Sequence, residues 1–492
     1  MYYHSTRSSA ELTSSQAVIQ GLAKDGGLYV PSKFPDALSS KDIENFINLP
    51  YQKLAQKILS LFFDEYSQKD LTEIVNGAYS IQWDNKSIAP LTSKRAGNYY
   101  LELFHGPTLA FKDIALQCLP RLMKTALKIE NNDHKIVILT ATSGDTGTAA
   151  MRGFKNLDGT SVIVFYPYQG VAPLQLKQML SESDGNTTAI AVKGNFDNAQ
   201  TNVKKIFNDQ EFVKELDKHN YAFSSANSMN IGRLIPQIVY YFSAYGQLVN
   251  QGNIYFGDKV NFSVPTGNFG DILAGYYAKK LGLPVGKLIC ASNKNNVLTD
   301  FFNTGIYNRN REFYVTNSPS MDILVSSNLE RLLFDLCQDT ELVKSLMTQL
   351  KETGTYELPD SMKKKLNDFE ADFSTPEEIE AEIHRVYVES GYVIDPHTAV
   401  ASLAAKRFKE ENGNQPVVVL STASPYKFPE TVYHAISGKN VKEKGIPALS
   451  QLTAFLYSSM PKAMNDFLGK EKEETIINPS EMPNEVKSLL NI

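Results

Sequence analysis

The sequence predicts an α/β protein with two doubly wound parallel-sheet domains and a mainly helical N-terminal subdomain. Three observations predict it. From about Tyr99 onward, short runs rich in β-branched residues alternate with helical stretches, and runs that are apolar throughout suit strands covered on both faces. Before that point apolar residues recur at three- and four-residue spacing, the period of amphipathic helices. The strand runs also fall into two groups, one within about 131–230 and one bracketing it, so a smaller α/β domain is inserted in a larger one.

In chain order, SSQAVIQGL and KDIENFINLPYQKLAQKILSLFF read as helices, and KDGGLYVP as a turn before a short extended segment. Strands are predicted near Tyr99 and at Lys135–Thr140, Ser161–Phe165, Thr188–Val192, Val260–Val264, Lys287–Ala291 and Pro416–Leu420. Residues 329–386 read as mostly helical, with paired charges that suit solvated faces. The tail reads as a lysine-rich linker followed by short helices. The predicted division is 1–95 for the N-terminal subdomain, 96–130 with 231–437 for the large domain, 131–230 for the small domain, and 438–492 for an extension packed on the large domain.

Composition narrows the function. The chain has 492 residues, 42% hydrophobic and 21% charged, as expected of a core-bearing globular protein. A net charge of -5 gives no sign of a nucleic-acid surface. Three widely spaced cysteines, Cys118, Cys290 and Cys337, predict a reduced, cytoplasmic setting. Seven scattered histidines without metal-ligand spacing predict no metal. The N-terminus, MYYHSTRSSAELTSSQ, reads as neither a secretory signal nor a transit peptide, and no run of about 18 apolar residues predicts a membrane span.

Four segments carry chemistry. HGPTLAFKDIALQ places Lys112 after an apolar patch and before a helical run, and a partly desolvated lysine is the kind that can act as a neutral nucleophile. The plain alternative is a solvated lysine on a surface helix. ATSGDTGTAA follows a strand with a small-residue turn and a helix start, a place for an anion or simply a capped helix. NFSVPTGNFGD repeats that design without the spacing of a P-loop or a dinucleotide fingerprint, which suits one phosphate held by backbone amides. VVVLSTASPYKF ends a strand in hydroxyls, where α/β sheets bind ligands.

Taken in this order, HGPTLAFKD, ATSGDTGTAA, PTGNFGD and STASPYKF closely resemble threonine synthase, a family of fold type II (tryptophan synthase β-like) pyridoxal-phosphate enzymes. The resemblance runs nearly end to end, through STR…AVIQGLAKDGGLYVP, ANSMNIGRLIPQ and GYVIDPHTAV. It implies that Lys112 forms the Schiff base with pyridoxal 5'-phosphate and then shuttles protons. It implies that Gly267, Asn268, Phe269 and Asp271 belong to the cofactor-phosphate loop, and that Thr422 faces the pyridine nitrogen. Ser143, Gly144, Asp145 and Thr146 are implied for the substrate's α-carboxylate, with Asn227, Ser228 and Arg233 as candidates for its phosphate. The implied reaction turns O-phospho-L-homoserine and water into L-threonine and phosphate, by γ-elimination and then β-addition of water, in a monomer or homodimer. Alternatives are a phospholyase or dehydratase that releases 2-oxobutyrate, or a catalytically silent relative. One departure stands out. The family's late block reads like TAHPAKF, whereas here Ser424 replaces the histidine and Tyr426 a small residue, while Thr422 and Lys427 remain.

Overall fold

A computed structural model describes residues 1–93, 98–142 and 144–492. Two parallel sheets organise it. In the larger, strands run in the order Phe369–Phe373, Val285–Ser292, Val260–Pro265, Val417–Ser421 and Tyr99–Glu102, with Leu91–Ser93 antiparallel at the edge. In the smaller, the order is Thr475–Ile477, Thr187–Val192, Thr160–Pro167, Lys135–Ala141 and Tyr221–Ser224, all parallel. Val260–Pro265 is buried at every position, and its two polar residues, Asn261 and Ser263, are satisfied by hydrogen bonds to Gln415 and the Ala401 carbonyl.

The helix Ile231–Asn250 is buried along most of its length and packs against the helices Tyr51–Phe62, Lys112–Leu116 and Gly270–Lys280. A helix that is apolar almost all round has to be a core helix. The N-terminal helices Ser14–Gln20, Ser40–Ile47, Tyr51–Phe62 and Gln68–Ala78 share one apolar core with this helix. Ser39 and Ser67 begin two of them by accepting from the N–H groups of Asp42 and Asp70. A three-stranded antiparallel sheet of Tyr2–Ser5, Leu12–Thr13 and Tyr29–Pro31 brackets the first of these helices, and Arg7 ties this region to Glu330 through two hydrogen bonds of 2.7 and 2.8 Å.

The structure differs from the sequence reading in three places. Phe369–Phe373, read as helical, is the edge strand of the large sheet. Its partly exposed Glu370 and Asp372 break the apolar pattern that reveals central strands. Tyr221–Ser224, not foreseen, is the opposite edge of the small sheet. The C-terminal extension, expected on the large domain, lies mostly on the small one. Ile446–Phe455 packs on the large domain's Pro429–Ser437, whereas Lys462–Leu468 meets Pro173–Ser181 of the small one. Thr475–Ile477 then pairs with Thr187–Val192, and Met482, Val486 and Leu490 join Val137, Leu139, Ile163 and Phe165 in one apolar cluster. The reason is physical: an open strand edge and an uncovered apolar sheet face both need a partner.

The helix Asp145–Phe154 crosses the end of Lys112–Leu116 at Gly153, where an added Cβ would lie 2.0 Å from the Leu116 carbonyl oxygen. Only glycine permits that approach. Gly153→Ala is expected to cost about 1–3 kcal/mol through overpacking, read as a lower urea midpoint with an unchanged slope.

Candidate active site

The strands Val260–Pro265, Val417–Ser421 and Tyr99–Glu102 are neighbours, and their carboxyl ends release the chain into TGNFGD, TASPYKF and HGPTLAFKD. The strands that follow Val260–Pro265 directly lie to one side, and the other two lie opposite. That reversal makes a switch point, the usual place for a ligand in an α/β sheet. Two of the loops are stitched together: Phe111 N–H donates to the Thr422 carbonyl at 2.8 Å, and Ser424 N–H to the Leu109 carbonyl at 3.0 Å. Leu109 takes a left-handed backbone (φ 59°) to complete the turn. Thr422 is thereby buried one residue away in space from Lys112.

Phe269, also left-handed (φ 63°), opens the helix Gly270–Lys280. Its first-turn N–H groups, which have no partner within a helix, form an anion site. Gly267 lies against the next loop, where an added Cβ would be 3.2 Å from the Ser320 carbonyl oxygen and 3.3 Å from Met321 Cα. The Asn268 carbonyl accepts from Asn328 at 3.0 Å, and Ser326 Oγ donates to the Gly267 carbonyl at 2.7 Å, so the loop's carbonyls are turned outward into other bonds. Asp271 behaves differently from the sequence expectation. Its side chain turns back to accept from Tyr240 and Tyr241, and burial pushes it up to about 7 against those hydrogen bonds. Only its backbone remains to face an anion.

Asp145 begins the helix Asp145–Phe154 and sits between two lysines: Lys427 Nζ is 2.7 Å from Oδ1 and Lys112 Nζ is 3.6 Å from Oδ2. Burial by itself would raise this carboxyl, but Lys427 and then Lys112 hold it well below the usual carboxylate range. Lys112 is pushed down by burial, pulled up by Asp145, and pushed down again by Lys427 and Arg233. Arg233 is buried, with Nη1 donating to the Ala226 carbonyl at 3.0 Å and Nε without a partner. Burial lowers it to about 10. Among the described residues it has no carboxylate partner. A buried guanidinium left so incompletely satisfied is costly unless a ligand anion completes it.

The other predicted residues lie around this centre. Gly144 is buried with its N–H on Thr142 Oγ1 at 3.1 Å, and Thr146 is half-buried. Asn227 accepts from Thr140 Oγ1 at 3.1 Å. Ser228 reaches Ser327 at 3.4 Å, and Ser327 in turn reaches Asn268 at 3.2 Å, so the Arg233 loop and the Gly267 loop are in contact. Ser143 lies outside the described residues.

Three contributors were not singled out from sequence. Lys427 stood in a quoted block without a role. His397, in GYVIDPHTAV, accepts the Ser320 N–H at 3.2 Å and is held on its other nitrogen by Asp395 at 2.6 Å. Ser320, which also donates to Asp145 at 3.4 Å, sits in a loop with no periodic signal. The Tyr426 hydroxyl meets Ser458 of the C-terminal extension at 2.6 Å. Among the described residues no His, Cys, Asp or Glu cluster could hold a metal ion, and no helix is long and apolar enough to cross a membrane.

Comparison with known proteins gives matches to three family descriptions: "Threonine synthase N terminus" over residues 2–79, "Pyridoxal-phosphate dependent enzyme" over 89–423, and "Threonine synthase, C-terminal" over 398–489. The human protein named threonine synthase-like 1 is 40% identical over 471 residues, covering 94% of this chain, and the chain spans 62% of that relative's length. Threonine synthase of Saccharomyces cerevisiae is 38% identical over 467 residues, covering 89% of each. A threonine synthase structure from Brucella melitensis with pyridoxal phosphate bound superposes with a TM-score of 0.87 at 36% identity, covering 99% of both chains.

At the entrance to the lysine segment, His105 lies between Asp84 on Nδ1 and Glu102 on Nε2, the latter at 2.8 Å. Only the imidazolium can donate to both, because a neutral ring has one N–H. Burial lowers this histidine, but hydrogen bonds from Asp84 and Glu102 outweigh burial and raise it to about 9. A folded-state value above the unfolded one makes its stabilisation complete below about pH 6.5 and lost as pH rises through about 9. The melting-temperature gap between the wild type and His105→Asn is therefore expected to be widest near pH 6 and to close above pH 9. An equal gap at both ends would contradict the pairing.

Proposed function

The chain belongs to the threonine synthase family of pyridoxal-phosphate-dependent enzymes, and from that premise we propose that it converts O-phospho-L-homoserine and water into L-threonine and phosphate. The observation that carries the choice of substrate is Arg233, a buried guanidinium whose Nε has no partner and whose charge acts on Lys112. A phosphate dianion is the ligand class that suits it.

The residues fit the cofactor. The crowded Gly267 cradle leaves only backbone for a phosphate, at the amino end of an 11-residue helix. Lys112 is a largely buried amine on the loop beyond a strand of the same sheet, and Thr422 is a buried residue at the end of the strand between them. When bound, pyridoxal phosphate supplies an electron sink that lets the substrate's α-proton leave. The remaining work falls to the chain. Lys112, whose hold on its proton burial weakens, is the group placed to take and return protons. Thr146, at the amino end of its helix, is the backbone donor for an α-carboxylate, next to Gly144, whose own N–H is held by Thr142 Oγ1. Arg233 with Asn227 and Ser228 orients the substrate phosphate before and after it leaves. Thr422, a neutral hydroxyl, leaves a heterocyclic nitrogen less protonated than a carboxylate would. The reduced cysteines suit a cytoplasmic enzyme, and a monomer or homodimer is the proposed state.

The purified full-length protein should show the visible band of a lysine-bound cofactor, and Lys112→Ala should abolish it. Adding O-phospho-L-homoserine should release threonine and phosphate in equal amounts. Arg233→Met should raise KM about tenfold or more, the value of a charged hydrogen bond, while the band stays. Release of 2-oxobutyrate in place of threonine would move the activity to a lyase, and no band even with added cofactor would overturn the reading.

A further inference from the structure

We propose that Lys427 is a positioning residue of this site: its ammonium takes up the charge of Asp145 and so leaves Lys112 free for chemistry. The inference rests on the role given above to Lys112. Lys427 sits on the turn Pro425–Lys427, after the strand Val417–Ser421, with its side chain 2% exposed. Its three donors have three acceptors: Asp145 Oδ1 at 2.7 Å, the Thr108 carbonyl at 2.8 Å and Gln178 Oε1 at 3.2 Å. Thr108 in turn gives its N–H and hydroxyl to Asp113, each at 2.7 Å, so the lysine is held by the backbone that carries Lys112. Nothing about this resembles an exposed ion pair, whose partners are free to part.

The two oxygens of Asp145 are divided unequally. Lys427 is within hydrogen-bond distance of one, while Lys112 stands 3.6 Å from the other. At equal dielectric the nearer cation feels a pull about a third stronger. A carboxylate with Lys112 as its sole cation would hold the proton that Lys112 must lose. It would also repel a substrate carboxylate at Gly144. Lys427 removes both difficulties. The other titratable or charged groups facing this centre are Arg233 from the helix Ile231–Asn250, which disfavours a proton on Lys112, and His397 from Pro396–Asn412, which faces Asp145. Asp113 faces Lys427 from the helix Lys112–Leu116.

The test reads Lys112 itself. The full-length protein, freed of cofactor, is treated with cyanate across pH 6–11, and carbamylation of Lys112 is followed by peptide mass spectrometry. Lys427→Met is expected to let Asp145 swing to Lys112 and move the labelling midpoint up by about one pH unit, a roughly tenfold loss of labelling near pH 8. Lys427→Arg should hold the wild-type midpoint. In an Asp145→Asn background, Lys427→Met should move it much less. An unmoved midpoint in folded Lys427→Met, or an equal shift in both backgrounds, would overturn the proposal. Should Lys427→Met not fold, Asp145→Asn alone decides: a masked Asp145 predicts a fall smaller than the roughly one to three units an unmasked charge brings, and a full fall would sink the idea. The readout needs no substrate, so failure to make threonine would leave it standing.

Discussion

A buried carboxylate has to be paired, and in this protein the pairing of Asp145 draws on every part of the chain that builds the site. Lys112 comes after the first strand of the large parallel series, Lys427 after the last, Ser320 from the loop covering Gly267, and Asp145 itself from the small domain. Removing one partner of such a pair leaves an uncompensated charge, which typically costs about 3–5 kcal/mol. The pair therefore sets the relative position of the two α/β units at the very place where their strand ends meet. Gly153 makes the approach sterically feasible by letting the Asp145 helix rest on the Leu116 carbonyl.

Around this centre, positive charge exceeds negative. Lys112, Lys427 and Arg233 face one buried carboxylate, Asp145. The surplus suits ligands that bring their own negative charge, which the proposed substrate does twice, as a carboxylate and as a phosphate. It also lowers the proton affinity of Lys112, so the electrostatics that attract the substrate also prepare the base. Asp271 and Asp113, the other buried acids nearby, are pushed upward by burial, to about 7 and about 6, against hydrogen bonds from Tyr240 and Tyr241 to Asp271 Oδ1 and from Thr108 to Asp113. That shift weakens the negative charge they set against the surplus.

The C-terminal extension closes the arrangement mechanically. It leaves the large domain beside Tyr426, whose hydroxyl meets Ser458, and ends by adding a strand and a helix to the small sheet. A chain that begins on one domain and ends on the other limits how far they can separate. Tyr426, one of the two residues that depart from the family's late block, meets this strap and packs against the cluster of Leu109, Leu174, Leu449, Met464 and Phe467.

The sequence by itself determined the central strands, because strands buried on both faces are rich in apolar, β-branched residues, as in Val260–Pro265 and Val417–Ser421. It also determined the local chemistry of the loops at their ends, because small residues, hydroxyls and a desolvated lysine are dictated within a few positions. Edge strands such as Phe369–Phe373 and Thr475–Ile477 escaped it, since half-exposed strands carry polar residues and lose the pattern. So did the destination of the C-terminal extension. Only the tertiary structure decided that Asp271 would turn its carboxyl toward Tyr240 and Tyr241, and that Lys427, 315 residues after Lys112, would share Asp145 with it. Local spacing carries no record of which distant charge will fill a buried vacancy. That choice is made by the Coulomb and desolvation balance of side chains that only folding brings within a few ångströms.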